Sequence, residues 1–165
     1  MGLLVLKEAW SVTIRAFQAT NVQPDPAMAE KSSVFDMIGP VMIGPSSSHT
    51  AGVVRIARAA LKLLGGIPED ADIVFYNSFA RTYEGHGSDR AIIAGLLDYQ
   101  TDDKRIKDSL DLAKENKLKY TFKSIGNASA LHPNTIRLNL TLGDKKIEVV
   151  GESKGGGVIN IAEVN

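Results

Sequence analysis

The stretch Gly44-Pro45-Ser46-Ser47-Ser48-His49-Thr50-Ala51-Gly52 gathers four hydroxyls and one imidazole immediately before a segment of helical periodicity. A helix N-terminus leaves backbone N–H groups without internal partners and carries a partial positive charge. Hydroxyls placed there can therefore help cradle a carboxylate or phosphate. One serine of the cluster can be an ordinary N-cap in a solvated loop, but a cap needs only one side-chain oxygen. Ser46, Ser47, Ser48, His49 and Thr50 together exceed that need and point to an anionic ligand.

Two further segments carry chemistry. In Glu84-Gly85-His86-Gly87-Ser88-Asp89 the flanking glycines Gly85 and Gly87 let backbone approach a ligand closely around His86. A flexible turn bearing an exposed histidine reads the same way, and a glycine-rich loop alone does not decide between them. In His132-Pro133-Asn134-Thr135 the proline fixes the backbone while His132 and Asn134 offer proton exchange and amide hydrogen bonding. Such residues before a strand also commonly satisfy loop backbone groups. Arg81, just upstream of Tyr83 and His86, is a candidate anion clamp. The three histidines lack HxH or HxxxH spacing, so no metal site is expected within this chain. No lysine stands apart from the solvated ones to support pyridoxal chemistry.

The elements that must hold these loops follow from periodicity. Val53, Val54, Ala57, Leu61 and Leu64 define the apolar face of a helix from Thr50 to Leu64, stopped by Gly65-Gly66. Ile73-Val74-Phe75-Tyr76 reads as a buried strand within Asp72–Ser78, followed by a loop. Ser88 or Asp89 can cap a helix to Leu97 or Asp98, and Thr101 or Asp102 a second one to about Asn116. Strands are expected around Tyr120 and Phe122, from Ile136 to Leu142, from Lys146 to Glu152 after a turn at Gly143-Asp144-Lys145, and from Val158 to Val164. The pattern predicts an α+β fold in two layers, with helices on one face of a mixed, mainly antiparallel sheet whose second half is a four-stranded meander.

Composition bounds the function. The chain has 165 residues, with 19 Lys+Arg against 19 Asp+Glu, so no bulk positive field favours nucleic acid or anionic membrane as a partner. It has no cysteine, which excludes disulfides, a catalytic thiol, thiolate-held zinc and an iron–sulfur cluster ligated wholly within this chain. No stretch approaches the ~20 apolar residues of a membrane span, and Lys7 and Glu8 interrupt the apolar start too early for a secretory core. A cytoplasmic location is expected. Residues 1–32, broken by Pro24 and Pro26, read as an extension that need not be native, with Met28 an alternative start, and residues 33–165 as the domain.

The run from Ser33 to Gly52 resembles the opening of the beta chain of bacterial iron–sulfur L-serine dehydratases. The segments Phe79–Asp89, His132–Thr135 and Ser153-Lys154-Gly155-Gly156-Gly157 resemble the same family in the same order, over about residues 33 to 163. The resemblance implies conversion of L-serine to pyruvate and ammonia without pyridoxal phosphate. It implies a 4Fe-4S cluster acting as Lewis acid on the substrate hydroxyl and held by a partner alpha chain, with which the absence of cysteine agrees. It also implies a fold like the allosteric substrate-binding domain of some phosphoglycerate dehydrogenases. The regulatory ACT domain in which many relatives continue is not expected within these residues.

On that footing His49 is expected to act in acid/base chemistry or carboxylate contact, with His86 second. Ser46, Ser47, Ser48, Thr50, Arg81, Gly85, Gly87, His132 and Asn134 are then expected to bind substrate or anion. The alternative is a non-catalytic domain that senses serine or another small anion for the same assembly.

Overall fold

The structure, a computed structural model, describes residues 40–126 and 132–165; the expected extension, the start at Met28 and the family-like residues before Pro40 lie outside the described residues. Alternation sets the sheet's inner face. Ala71, Ile73 and Phe75 of β1 (Asp70–Tyr76) and Ile136, Leu138 and Leu140 of β3 (Thr135–Leu142) are all buried there, with Ile73 opposite Leu138. Val149 of β4 (Lys145–Gly155) joins them across from Leu138. The strand order is β2-β1-β3-β4-β5, with β2 at Lys119–Ile125 and β5 at Val158–Val164. All pairings are antiparallel except β1 with β2.

The fold is α+β with a mixed sheet, as expected, but the second half is not a four-stranded meander. β2 leaves the meander and runs parallel to β1, setting Tyr120 beside Ala71 and Phe122 beside Ile73. That pairing makes the most apolar strand an interior one, and the intervening helices supply the long crossover that a parallel pair requires.

Helix α1 (Gly52–Leu64) lays Val53, Ile56, Ala57, Ala60 and Leu64 on the core and ends at Gly65, whose φ of +96° supplies the left-handed stop. Lys145 Nζ satisfies the last carbonyls, donating to Leu63 O at 2.8 Å and Leu64 O at 2.7 Å. Helix α3 (Ser88–Leu96) crosses α1 so closely that a Cβ on Gly95 would stand 2.5 Å from Ala57 Cβ and 2.6 Å from Val54 O.

Two expected elements differ. The segment after β1, expected as a loop, folds as helix α2 (Asn77–Thr82), held by a single fully buried side chain, Phe79, rather than by a periodic stripe. The single helix expected from Thr101 or Asp102 is a 3₁₀ turn, Lys104–Asp108, followed by α4 (Ser109–Glu115), and its cap is Asp103, which accepts from Arg105 N at 2.9 Å. Ile106 and Ser109 both turn inward, and the three-residue period of a 3₁₀ turn places positions i and i+3 on one side.

Candidate functional site

The serine-rich loop enters α1 through a π-helical turn, Ser47–Ala51, so the helix expected from Thr50 begins earlier and wider. Single π turns are rare and concentrate at functional sites. Ser46 is the cap: its hydroxyl accepts the His49 N–H at 3.3 Å and its carbonyl accepts the Thr50 N–H at 2.8 Å. Ser46 thus does the capping and also, with Ser48, faces the imidazole. His49 Nδ1 lies 3.0 Å from Ser48 Oγ and 3.3 Å from Ser46 Oγ.

The His49 ring is buried, edge-on to Phe79 at 4.8 Å and to His86 at 4.7 Å between centroids. Burial, and secondarily the charge that His86 would carry, hold the His49 pKa below the ordinary histidine value of 6.5. Its imidazole is therefore neutral at neutral pH, a state suited to accepting a proton. Nε2 is buried with no hydrogen-bond partner among the described residues, and so is the hydroxyl of Thr50, a residue only 1% exposed. Buried polar atoms are normally paired, so two orphans on adjacent residues mark where a polar ligand fits.

A cleft of about 170 Å³ opens beside Thr50, walled by Gly44, Pro45, Thr50, His86 and Gly87 with Ile43 and Ile106 as apolar lining; His49 does not line it and adjoins it through Thr50 and His86, which do. That volume is well under the ~300–1,000 Å³ of drug-sized pockets, so the fitting ligand is small. Gly44 has a φ of +153°, and a Cβ there would stand 2.3 Å from Thr50 Oγ1, so only glycine lets the loop lie on the threonine. Gly87 adopts a left-handed φ of +70° as the N-cap of α3, whereas Gly85 has no positive φ.

The structure brings Ser46, Ser48, His49, Thr50, His86 and Gly87 together. Ser47 heads the π turn, and its carbonyl accepts the Gly52 N–H. Arg81 is exposed on the last turn of α2 and does not line the cleft; Arg90 and Lys107 do, and neither pairs with a carboxylate among the described residues. Sequence reasoning missed both, because an exposed cation on a helix carries no local signal. His132 and Asn134 stand at the head of β3, outside the cleft, with Asn134 N–H donating to His132 Nδ1 at 3.2 Å. They connect to the π turn through Ser153, whose N–H donates to Asn134 O at 3.0 Å and whose hydroxyl donates to Ser48 O at 3.0 Å. Ser88, expected as a cap, instead turns its buried hydroxyl to His49 O at 2.8 Å.

The chain has no cysteine, and among the described residues no group of three His, Asp or Glu could hold a metal ion. The side chains here do not fit a thiolate-ligated cluster. Among the described residues, no helix is long and apolar enough to cross a membrane.

A family model described as serine dehydratase beta chain matches residues 33–163. The chain is 50% identical over 133 residues to the probable L-serine dehydratase beta chain of Bacillus subtilis, covering 81% of this chain and 60% of that protein. It is 40% identical over 134 residues to the L-serine dehydratase beta chain of Peptoniphilus asaccharolyticus, with the same coverage of 81% and 60%. A 34% match over 110 residues covers 63% of this chain but only 22% of an L-serine dehydratase of Streptomyces coelicolor. The chain thus spans less than two thirds of the length of each of these relatives.

Proposed function

The chain belongs to the serine dehydratase beta-chain family, and from that premise we propose that it is the beta subunit of a cytoplasmic enzyme converting L-serine to pyruvate and ammonia. The observation that carries the site assignment is the pair of orphaned buried polar atoms on adjacent residues, His49 Nε2 and Thr50 Oγ1, of which Thr50 lines a small cleft with a cationic rim. The 4Fe-4S cluster is assigned to the partner alpha chain, since these 165 residues supply no thiolate ligand. The roles below are those of this chain's own residues.

Loss of water from L-serine removes the Cα proton and the β-hydroxyl, leaving an aminoacrylate that tautomerises and is hydrolysed to pyruvate and ammonia. A neutral imidazole already hydrogen-bonded through Nδ1 to serine hydroxyls presents Nε2 as the group that exchanges a proton with substrate or contacts its carboxylate. Arg90 and Lys107 draw the carboxylate to the cleft, and the Thr50 hydroxyl orients it. His86, exposed over the edge of His49, acts second. Docking of the alpha chain is assigned to this end of the sheet. Val41 and Val158, 79% and 55% exposed, are the most exposed large apolar side chains among the described residues. They flank the place where Pro40 meets Gly157.

Anaerobic co-purification with an iron-containing partner, followed by pyruvate formation from L-serine, tests the assignment. In that complex His49→Ala should lose at least ~10²-fold in turnover; unchanged turnover removes His49 from the chemistry. Calorimetric titration of L-serine into this chain alone should give little or no heat. Tight binding without the alpha chain would favour the sensing role instead.

A further inference from the structure

Two buried hydroxyls hold the π turn from opposite sides of the sequence. Ser88, on the first turn of α3, donates to the His49 carbonyl at 2.8 Å, and Ser153, near the end of β4, donates to the Ser48 carbonyl at 3.0 Å. Both serines are fully buried, and neither is needed as a cap: the N-cap of α3 is Gly87. Successive carbonyls of a helical turn point along its axis but stand at different positions around it. Anchoring two of them therefore fixes both the position and the rotation of the turn. The neighbouring backbone accommodates this arrangement, since a Cβ on Gly52 would stand 2.1 Å from Ser153 Oγ. The Ser153 anchor also lies at a register shift between β4 and β5, a bulge of the kind that re-aims a side chain.

We propose that Ser88 and Ser153 are positioning residues that set the orientation of the His49 imidazole by clamping the carbonyls of Ser48 and His49. Neither serine touches the cleft; each acts through the backbone of the turn. The two tether it to elements 39 and 105 residues away. With the clamps gone, the turn is free to rotate, His49 leaves its packed place between Phe79 and His86, and water reaches the ring.

The inference rests on His49 being the working group of the site, and its test separates the two claims. The first readout is the NMR titration of the histidine imidazoles in the full chain. In Ser88→Ala and Ser153→Ala the His49 midpoint should rise toward 6.5, and the near-isosteric, poorly donating Ser88→Cys and Ser153→Cys should do the same. Should an alanine variant not fold, the cysteine variant at that position decides. The second readout is turnover with the alpha chain, where each single variant should lower kcat by about 10-fold and the pair by about 10²-fold, the scale of an ångström's misplacement, with KM changed less. A His49 midpoint equal to wild type in all four variants overturns the clamp, even where thermal stability falls, because packing alone would lower stability without moving the titration. A moved midpoint together with full turnover in His49→Ala keeps the clamp and overturns the catalytic role of His49.

Discussion

Replacing Gly95 with alanine tests whether the contact between α1 and α3 is set by backbone proximity. The new Cβ would meet Ala57 Cβ at 2.5 Å and Val54 O at 2.6 Å. Non-bonded carbons prefer about 3.5–4.0 Å, so the helices must separate by roughly 1 Å. Overpacking costs about 1–3 kcal/mol; two contacts under 3.0 Å, one of them to a backbone carbonyl, put this one at about 2–3 kcal/mol, and alanine in a helix returns at most about 1 kcal/mol over glycine. The net loss should be about 1–2 kcal/mol, or ~2–8 °C in Tm for a domain of this size, measured by scanning calorimetry or urea unfolding. The same shift of α3 would stretch the 2.8 Å bond from Ser88 to His49 O past hydrogen-bonding range. Adding Ala57→Gly removes the first clash and leaves the carbonyl clash, so stability should recover only in part. Gly126→Ala, with nothing within 4 Å among the described residues and no positive φ, should be neutral. A Gly95→Ala variant as stable as wild type would refute the reasoning, because no rotamer of alanine avoids a backbone carbonyl.

His49 binds protons less readily folded than unfolded, so the unfolded chain holds more protons between its folded midpoint and 6.5. Its stabilising contribution is present in full above 6.5 and declines as pH falls through that window; His49→Gln should flatten this part of a stability-versus-pH curve measured by urea unfolding. Gly52→Ala should break the Ser153 anchor by steric conflict at 2.1 Å and lower Tm, and Ser153→Ala introduced beside it should recover part of the loss. Phe79→Ala removes a fully buried ring that packs against both His49 and Phe75, so unfolding measurements should show a loss of about 3–5 kcal/mol. Lys154→Met should let the Glu152 carboxyl, held below its ordinary value chiefly by the 2.7 Å Lys154 contact, titrate closer to 4.5 by NMR.

Local features of the sequence that carry their own physics were legible. The α1 stripe and the alternation of Ile136, Leu138 and Leu140 appear where periodicity places them, and the turn expected at Gly143-Asp144-Lys145 is there but one residue shorter, with Lys145 already in β4. The density of hydroxyls around His49 was visible in the sequence, but not that the capping Ser46 would share the imidazole with Ser48 alone. What periodicity could not carry was placement in space. Tyr120 and Phe122 alternate equally well in a meander or beside β1, and only the apolar character of β1, which gains by pairing on both edges, selects the second. α2 rests on one phenylalanine, too little for a helical stripe to be read. Arg90, Lys107, Ser88 and Ser153 matter through partners far along the chain, and nothing in their immediate neighbours announces it.

The hydrogen bond from Ser153 to Ser48 spans 105 residues. At ribosomal speeds of about 5–20 residues per second, the histidine turn waits roughly 5–20 seconds after its own synthesis before its second anchor exists, and longer still until that residue clears the exit tunnel. During this interval α1 and α3 can already meet, yet the imidazole is tethered from one side only. A nascent chain arrested ahead of residue 153 would therefore carry every histidine of the molecule while lacking the geometry that makes one of them different from the others.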